Sequence, residues 1–241
     1  MNELLLILGL ALLPAAGNFA GGVLAEIWRP SARVLSLALH AAVGIMLAIV
    51  ATELLPEASR VLSGWAVGTA FVLGGVLYLA ADAGAQRLAG ANRGGRRMWL
   101  IYAAVSIDLL SDGLMIGSGG AVATALALKL AAGQVLADLP EGYAAAASFR
   151  ANGVPRGKRL LMMASFAVPV LAAATFAHLI LKDAGDLWKF GALAVIAGLL
   201  SVAAVEDMLG EAHENGTDTK AAAMAFVGGF ALFVFVSAGL E

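Results

Sequence analysis

Eight apolar runs, each about 20 residues or longer and separated by short breaks of charge, glycine or proline, dominate this sequence. They fall at about 2–26, 33–56, 63–87, 98–127, 131–150, 157–181, 188–211 and 220–240. A hydrocarbon layer about 30 Å thick takes roughly 20 residues of helix at 1.5 Å of rise each, so every run is long enough to cross it. The expected fold class is all-α: a polytopic membrane protein of eight transmembrane helices, forming a single transmembrane domain over residues 1–241. Composition agrees, with 61% hydrophobic and 13% charged residues, against roughly 45–50% and about 25% in soluble domains. The first run could pass for a signal peptide, but Glu3 stands where a positive n-region belongs, so a helix is expected there.

Charge and cysteine content exclude several functions. The 15 Lys+Arg against 17 Asp+Glu give no basic excess for nucleic acid, which is not expected as a partner. Zero cysteines removes disulfides, thiolate metal sites and cysteine nucleophiles together. If the first connection is cytoplasmic, the inside carries Arg29, Arg33, Arg87, Arg93, Arg96, Arg97, Arg150, Arg156, Lys158, Arg159 and Lys220. Only Arg60, Lys129, Lys182 and Lys189 are then left outside. That bias places both termini outside the cytoplasm, in a bacterial inner membrane by expectation, with the lipid bilayer as partner. Trp65, Trp99 and Trp188 stand near span ends, where indoles favour the interface.

Carboxylates deep in the apolar runs carry the functional information, because an intramembrane charge is costly and is kept for a purpose. The fourth run places Asp108 and Asp112 four apart on one helical face. They lie about 16–22 Å from Arg97 by helical rise, near the midplane. The fifth run, of opposite direction, places Asp138 and Glu141 three apart on one face at similar depth. Neither helix centre holds a Lys or Arg, so four anions need protons or a cation. Anion carriage is not expected. The two segments are alike, Asp108-Leu-Leu-Ser-Asp112-Gly113 and Asp138-Leu-Pro-Glu141-Gly142. Pro140 is expected to bend its helix and turn carbonyls near 136–137 toward the same cavity.

The other polar residues have plainer readings. Glu53, Glu206, Asp207 and Glu211 read as solvated caps or as stations for an entering or leaving cation. His40 and His178 stand isolated in apolar runs, where hydrogen-bonded packing is favoured over a ligand role. His213 belongs to GEAHENGTD, which reads as a polar loop ahead of metal capture, and Asn18 reads as an interhelical hydrogen bond.

This pattern resembles the ZIP (Zrt/Irt-like) metal-ion transporters over most of the chain. The anchor is Asp138-Leu-Pro-Glu141-Gly142, which is similar to the family's helix-five metal motif, followed by Asp112-Gly113, where the helix-four motif ends in Glu-Gly. The resemblance implies eight helices, termini outside, a metal site between helices four and five, and a homodimer. It also implies that Glu206 and Asp207 belong to an exit segment. The chain departs from the family at Asp108, Leu109 and Ser111, where helix four carries histidine, asparagine and proline, and at Ala137 in helix five. Val168 stands where several members have a helix-six glutamate.

One metal position held by Asp108, Asp112, Asp138 and Glu141 is therefore expected, with Asp207 and Glu206 receiving the ion. A carboxylate-only site weakens the preference for zinc over manganese or iron(II). The expected function is transport of a divalent metal (zinc, manganese, iron(II) or cadmium as substrate, no resident cofactor) toward the cytoplasm. Metal and protons compete for these carboxylates, so uptake is expected to depend on pH. The alternative is a metal-binding or sensing membrane protein that keeps the fold without transport. An aspartyl intramembrane protease fits less well, since four carboxylates exceed a dyad and the Gly-x-Gly-Asp context is absent; no enzyme is expected.

Overall fold

The computed structural model describes residues 3–88, 96–215 and 220–240, and among them every regular element is helical. The segments are α1 (Glu3–Ile27), α2 (Ala32–Ser59), α3 (Gly64–Leu88), α4 (Arg96–Val122), α5 (Thr124–Ala151), α6 (Arg156–Leu181), α7 (Asp186–His213) and α8 (Lys220–Ala238). Seven of the described helices are long and apolar enough to cross a membrane. The exception is α5, which is 28 residues long but carries Lys129, Asp138, Glu141 and Arg150. Of the connection expected between the third and fourth runs, residues 89–95, Arg93 among them, lie outside the described residues, while Arg96 and Arg97 open α4.

Several boundaries differ from the sequence reading. The break expected near 127–131 falls at Ala123 alone, whose extended backbone (φ −158°, ψ 138°) reverses the chain between α4 and α5. Small and apolar residues continue on both sides of it, so no polar loop marked the turn. In α6 a break at Phe166 separates Arg156–Ser165 from Ala167–Leu181. Pro169 has no N–H for the Ser165 carbonyl, which is the physical reason. Pro140, by contrast, sits inside an unbroken α5, so the expected turning of carbonyls near 136–137 does not interrupt that helix. Helix α7 runs on as far as Asn215, which places His213 on a helix rather than in the expected loop.

Both α2 and α7 contain one wide π-turn, Val50–Leu54 and Ala204–Met208. In α2 the turn precedes Pro56, which would otherwise collide with the Thr52 carbonyl. Each π-turn follows 18 helical residues, Ala32–Ile49 in one case and Asp186–Ala203 in the other. All of these bounds stand 154 residues apart.

Packing reveals the reason for that correspondence. The helices associate chiefly as four pairs, α1 with α5, α4 with α6, α2 with α8, and α3 with α7. Glycine opens each pair to backbone contact: Gly44 meets Phe226 and Gly229 meets Ala41 in one, Gly198 meets Phe71 and Gly74 meets Val195 in another. Gly44 and Ala41 lie 154 residues before Gly198 and Val195, and Phe71 and Gly74 lie 155 before Phe226 and Gly229. The pair α2–α3 is thus repeated as α7–α8. Contacts of Gly17 with Val135 and Gly21 with Leu139 advance together, so α1 and α5 run parallel. Short connections make chain neighbours antiparallel, which leaves α2 and α7 opposed. The repeat is therefore inverted, its two units running in opposite directions.

The outside of the bundle is apolar, with Leu73, Val76, Leu77, Phe176, Ile180 and Phe235 among its exposed side chains. Trp28 and Trp99 stand exposed at the end bearing Arg29 and Arg156, and Trp65 and Trp188 at the opposite end. Two indole belts around an apolar girdle are what a membrane protein presents to the two interfaces. At the arginine-rich end, Arg159 donates from Nε and Nη2 to the two carboxylate oxygens of Glu26, both at 2.8 Å, and from Nη1 to the Val154 carbonyl at 2.5 Å. Arg150 donates to the Ala25 carbonyl at 2.5 Å, which further ties the end of α1 to that of α5. Both members of the Arg159–Glu26 pair have side chains exposed by less than a tenth. Arg159→Ala is therefore expected to lower stability by about 3 kcal/mol, the lower end for a broken buried pair, because it leaves the Glu26 carboxylate only the exposed Arg156 at 3.7 Å. Glu26→Gln combined with Arg159→Ala should cost less than the sum of the single changes, as read from thermal midpoints in detergent.

Candidate metal centre

The carboxylates predicted from the two acid–Gly segments meet in the middle of the bundle. Asp108 from α4 and Asp138 and Glu141 from α5 each offer an oxygen, and these atoms lie within 4.8 Å of one another. All three residues are buried. Both Asp138 oxygens and Oδ2 of Asp108 lack a hydrogen-bond partner among the described residues. Such clustering of unpaired anionic oxygens in an apolar surround is unstable unless a cation or protons fill it.

Asp112, fully buried, lies one turn from Asp108 and is held differently. The Gln134 amide donates to its Oδ1, while its Oδ2 and the Gln134 Oε1 stay without partners. Gln134 lies on α5, four residues before Asp138, and sequence reasoning passed over it. A glutamine within an apolar run was the one signal available, and the structure buries it fully. Asn18, expected to make an interhelical hydrogen bond, donates from Nδ2 to Oε2 of Glu141 at 3.4 Å, and its own Oδ1 is unpartnered.

The recurring acid–Gly pairs now have a structural cause. Gly113 is where α6 crosses α4 against the Val170 backbone, and Gly142 is where α1 crosses α5 against the Asn18 backbone. A β-carbon at Gly142 would stand 2.7 Å from the Asn18 Cα. Glycine beside the acid thus lets a third helix reach the cluster. Val170, fully buried, occupies the place on α6 that Asn18 has on α1, whereas Val168 is 68% exposed. Val168, which the resemblance sets at the family's helix-six glutamate, therefore faces outward, and the face of α6 turned inward carries Val170.

Glu206 and Asp207 lie away from the cluster but share a space with it. A cavity of about 360 Å³ is lined by Val105, Glu141, Ser148, Glu206, Asp207 and Glu211, among others. It extends from Glu141 toward the arginine-rich end. Asp207 accepts a hydrogen bond from the Tyr78 hydroxyl of α3, and Glu206 is exposed.

No family model matches this chain, and no curated protein matches it.

Glu53 differs from its reading as a solvated cap. It is 8% exposed, accepts a hydrogen bond from the Ser237 hydroxyl at 2.5 Å and lies 3.9 Å from Nζ of Lys129. Under the repeat it corresponds to Asp207, since each is the fourth residue of its π-turn. One acid therefore stands toward each end, with the buried cluster between. The equivalence was present in the sequence only as a 154-residue offset between two short, dissimilar strings, VATEL and AVEDM.

Proposed function

We propose that this chain is a ZIP-like divalent-cation transporter. The observation that carries the reading is the buried group of Asp108, Asp138 and Glu141 oxygens within 4.8 Å of one another, contributed by two helices. All-oxygen donor sets suit hard and borderline divalent cations, which makes zinc, manganese, iron(II) and cadmium the candidate substrates. Asn18 and Gln134 add neutral amide oxygens around them.

In this reading all eight helices cross the membrane. Parallel, register-matched packing of α5 along α1 supports a crossing by α5, since α1 is itself long and apolar enough to span. Polar residues of α5 are tolerable because they face the bundle interior rather than lipid. The excess of Lys and Arg at the α1–α2 and α5–α6 connections puts that end in the cytoplasm and both termini outside. The cavity past Glu206, Asp207 and Glu211 is then the release path, open in this conformation, while Glu53 with Lys129 and Ser237 lies on the outer side. Exchange of the two inverted units about the central site supplies alternating access.

Uptake of the four metals into proteoliposomes tests the reading, with Glu141→Ala alongside wild type. Saturable flux of at least one metal, abolished in a correctly folded Glu141→Ala protein, is the expected result. Metal binding without flux would instead assign a sensing or storage role, and flux unchanged by Glu141→Ala would remove the site assignment.

A further inference from the structure

His40 and His213 are 173 residues apart in sequence, and neither belongs to the carboxylate centre. In the fold, His40 on α2 and His213 near the end of α7 bring their ring centroids to 5.4 Å. We propose that this pair is a second metal site, for a borderline divalent cation of the zinc class. Two imidazoles sharing one tetrahedral zinc at N–Zn distances of about 2.0–2.1 Å place their centroids about 5 Å apart, close to the separation here.

The environment of His40 supplies the second argument. Its Nδ1 lies 2.8 Å from the Ser36 carbonyl oxygen, which can only accept, so Nδ1 carries the proton and Nε2 presents a lone pair. A ring N–H anchored on a backbone carbonyl is the support by which metal-binding histidines are oriented. The residue is 4% exposed, and Nε2 is buried with no partner among the described residues. Ring contact with His213 does not satisfy that nitrogen, whereas a metal ion does. His213 is exposed at the helix end, so its ring can turn a nitrogen toward the same ion, with water completing the coordination.

Nitrogen donors distinguish this place from the all-oxygen cluster. Imidazole favours zinc over manganese, calcium or magnesium, so the pair adds a selectivity that the carboxylates lack. Its position continues along α7 from Glu206, Asp207 and Glu211, beyond the cavity toward the arginine-rich end. The binding claim does not rest on the transport reading, because no ligand is shared.

Zinc titration calorimetry on the full chain in detergent provides the test. An Asp138→Asn, Glu141→Gln variant removes the carboxylate centre and is expected to retain one zinc equivalent. Adding His213→Ala, an exposed position, should abolish that event or weaken it at least about tenfold. In the wild-type background His213→Ala alone should lower the zinc stoichiometry by one. His40→Gln should act likewise, and manganese should give no His213-dependent heat. Zinc binding indifferent to His213→Ala in both backgrounds would overturn the proposal and leave the two rings as a packing contact. Loss of His213-dependent binding with the carboxylate centre intact, or the reverse, distinguishes failure of this site from failure of the first.

Discussion

Exchanging Asp138 for asparagine is expected to bring metal uptake into proteoliposomes down to that of protein-free vesicles. Metal binding at the α4–α5 centre should weaken by more than about 100-fold, since even a supporting residue outside the ligand set typically accounts for 10–100-fold. The substitution preserves shape almost entirely, so the effect isolates charge and donor type. No protein N–H or hydroxyl donates to either Asp138 oxygen, the neighbour in reach being another carboxyl, Asp112, and the residue is fully buried. Asparagine replaces one of them with an NH2 group that has no lone pair to offer a cation. Asp112→Asn should cost less, because one Asp112 oxygen is already occupied by the Gln134 amide. Equal losses in the two variants would mean that all four carboxylates bind the ion alike. Unimpaired uptake by the Asp138→Asn protein would place the ion elsewhere.

The second large effect concerns assembly. Gly142→Leu is expected to abolish the folded, monodisperse protein in detergent, because the α1–α5 interface has no room for a side chain there. Even a β-carbon at Gly142 would stand 2.6 Å from the Asn18 carbonyl carbon and 2.7 Å from its Cα. Backbone of a long helix cannot yield locally, so Gly142→Ala already costs about 3 kcal/mol or more, at the upper end of overpacking penalties. Gly68→Ala is the matched control. Gly68 sits exposed on α3, and a β-carbon added there would meet nothing within 4 Å, so the change should leave stability unaltered or raise it by up to about 1 kcal/mol through helix propensity. Fluorescence-detected size exclusion with thermal challenge separates the two, and similar behaviour of both variants would refute the close-contact account of the pair.

The candidate centre was legible because its residues violate the rule that governs their surroundings. Asp108, Asp112, Asp138 and Glu141 are charged side chains in runs long enough to span hydrocarbon, and helical spacing alone puts each pair on one face. The amides that meet them, Asn18 and Gln134, were harder to read. A buried amide is cheap enough to occur for packing alone, so its sequence context does not separate the roles. Glu53 was legible as an acid near a span end, but its burial between Lys129 and Ser237 depends on three helices meeting. That His40 meets His213 likewise depends on α2 and α7 packing together.

Local chemistry in the sequence determined that this chain is helical, that most of its helices are apolar enough for a membrane, and that carboxylates stand at the middle of two of them. Those properties follow from run length, composition and a period of 3.6 residues, none of which needs a neighbour. Which helices pair, and in what direction, was decided only in three dimensions. Glycine in one helix is informative only once the backbone that occupies its space is known, and that backbone lies from 57 to more than 180 residues away, as in Gly113 against Val170 and Gly44 against Phe226. The inverted repeat, the cavity joining Glu141 to Glu206 and Asp207, and the meeting of His40 with His213 all follow from those pairings. Long-range contact of that kind leaves no periodic trace along the chain, which is why the tertiary structure alone decides it.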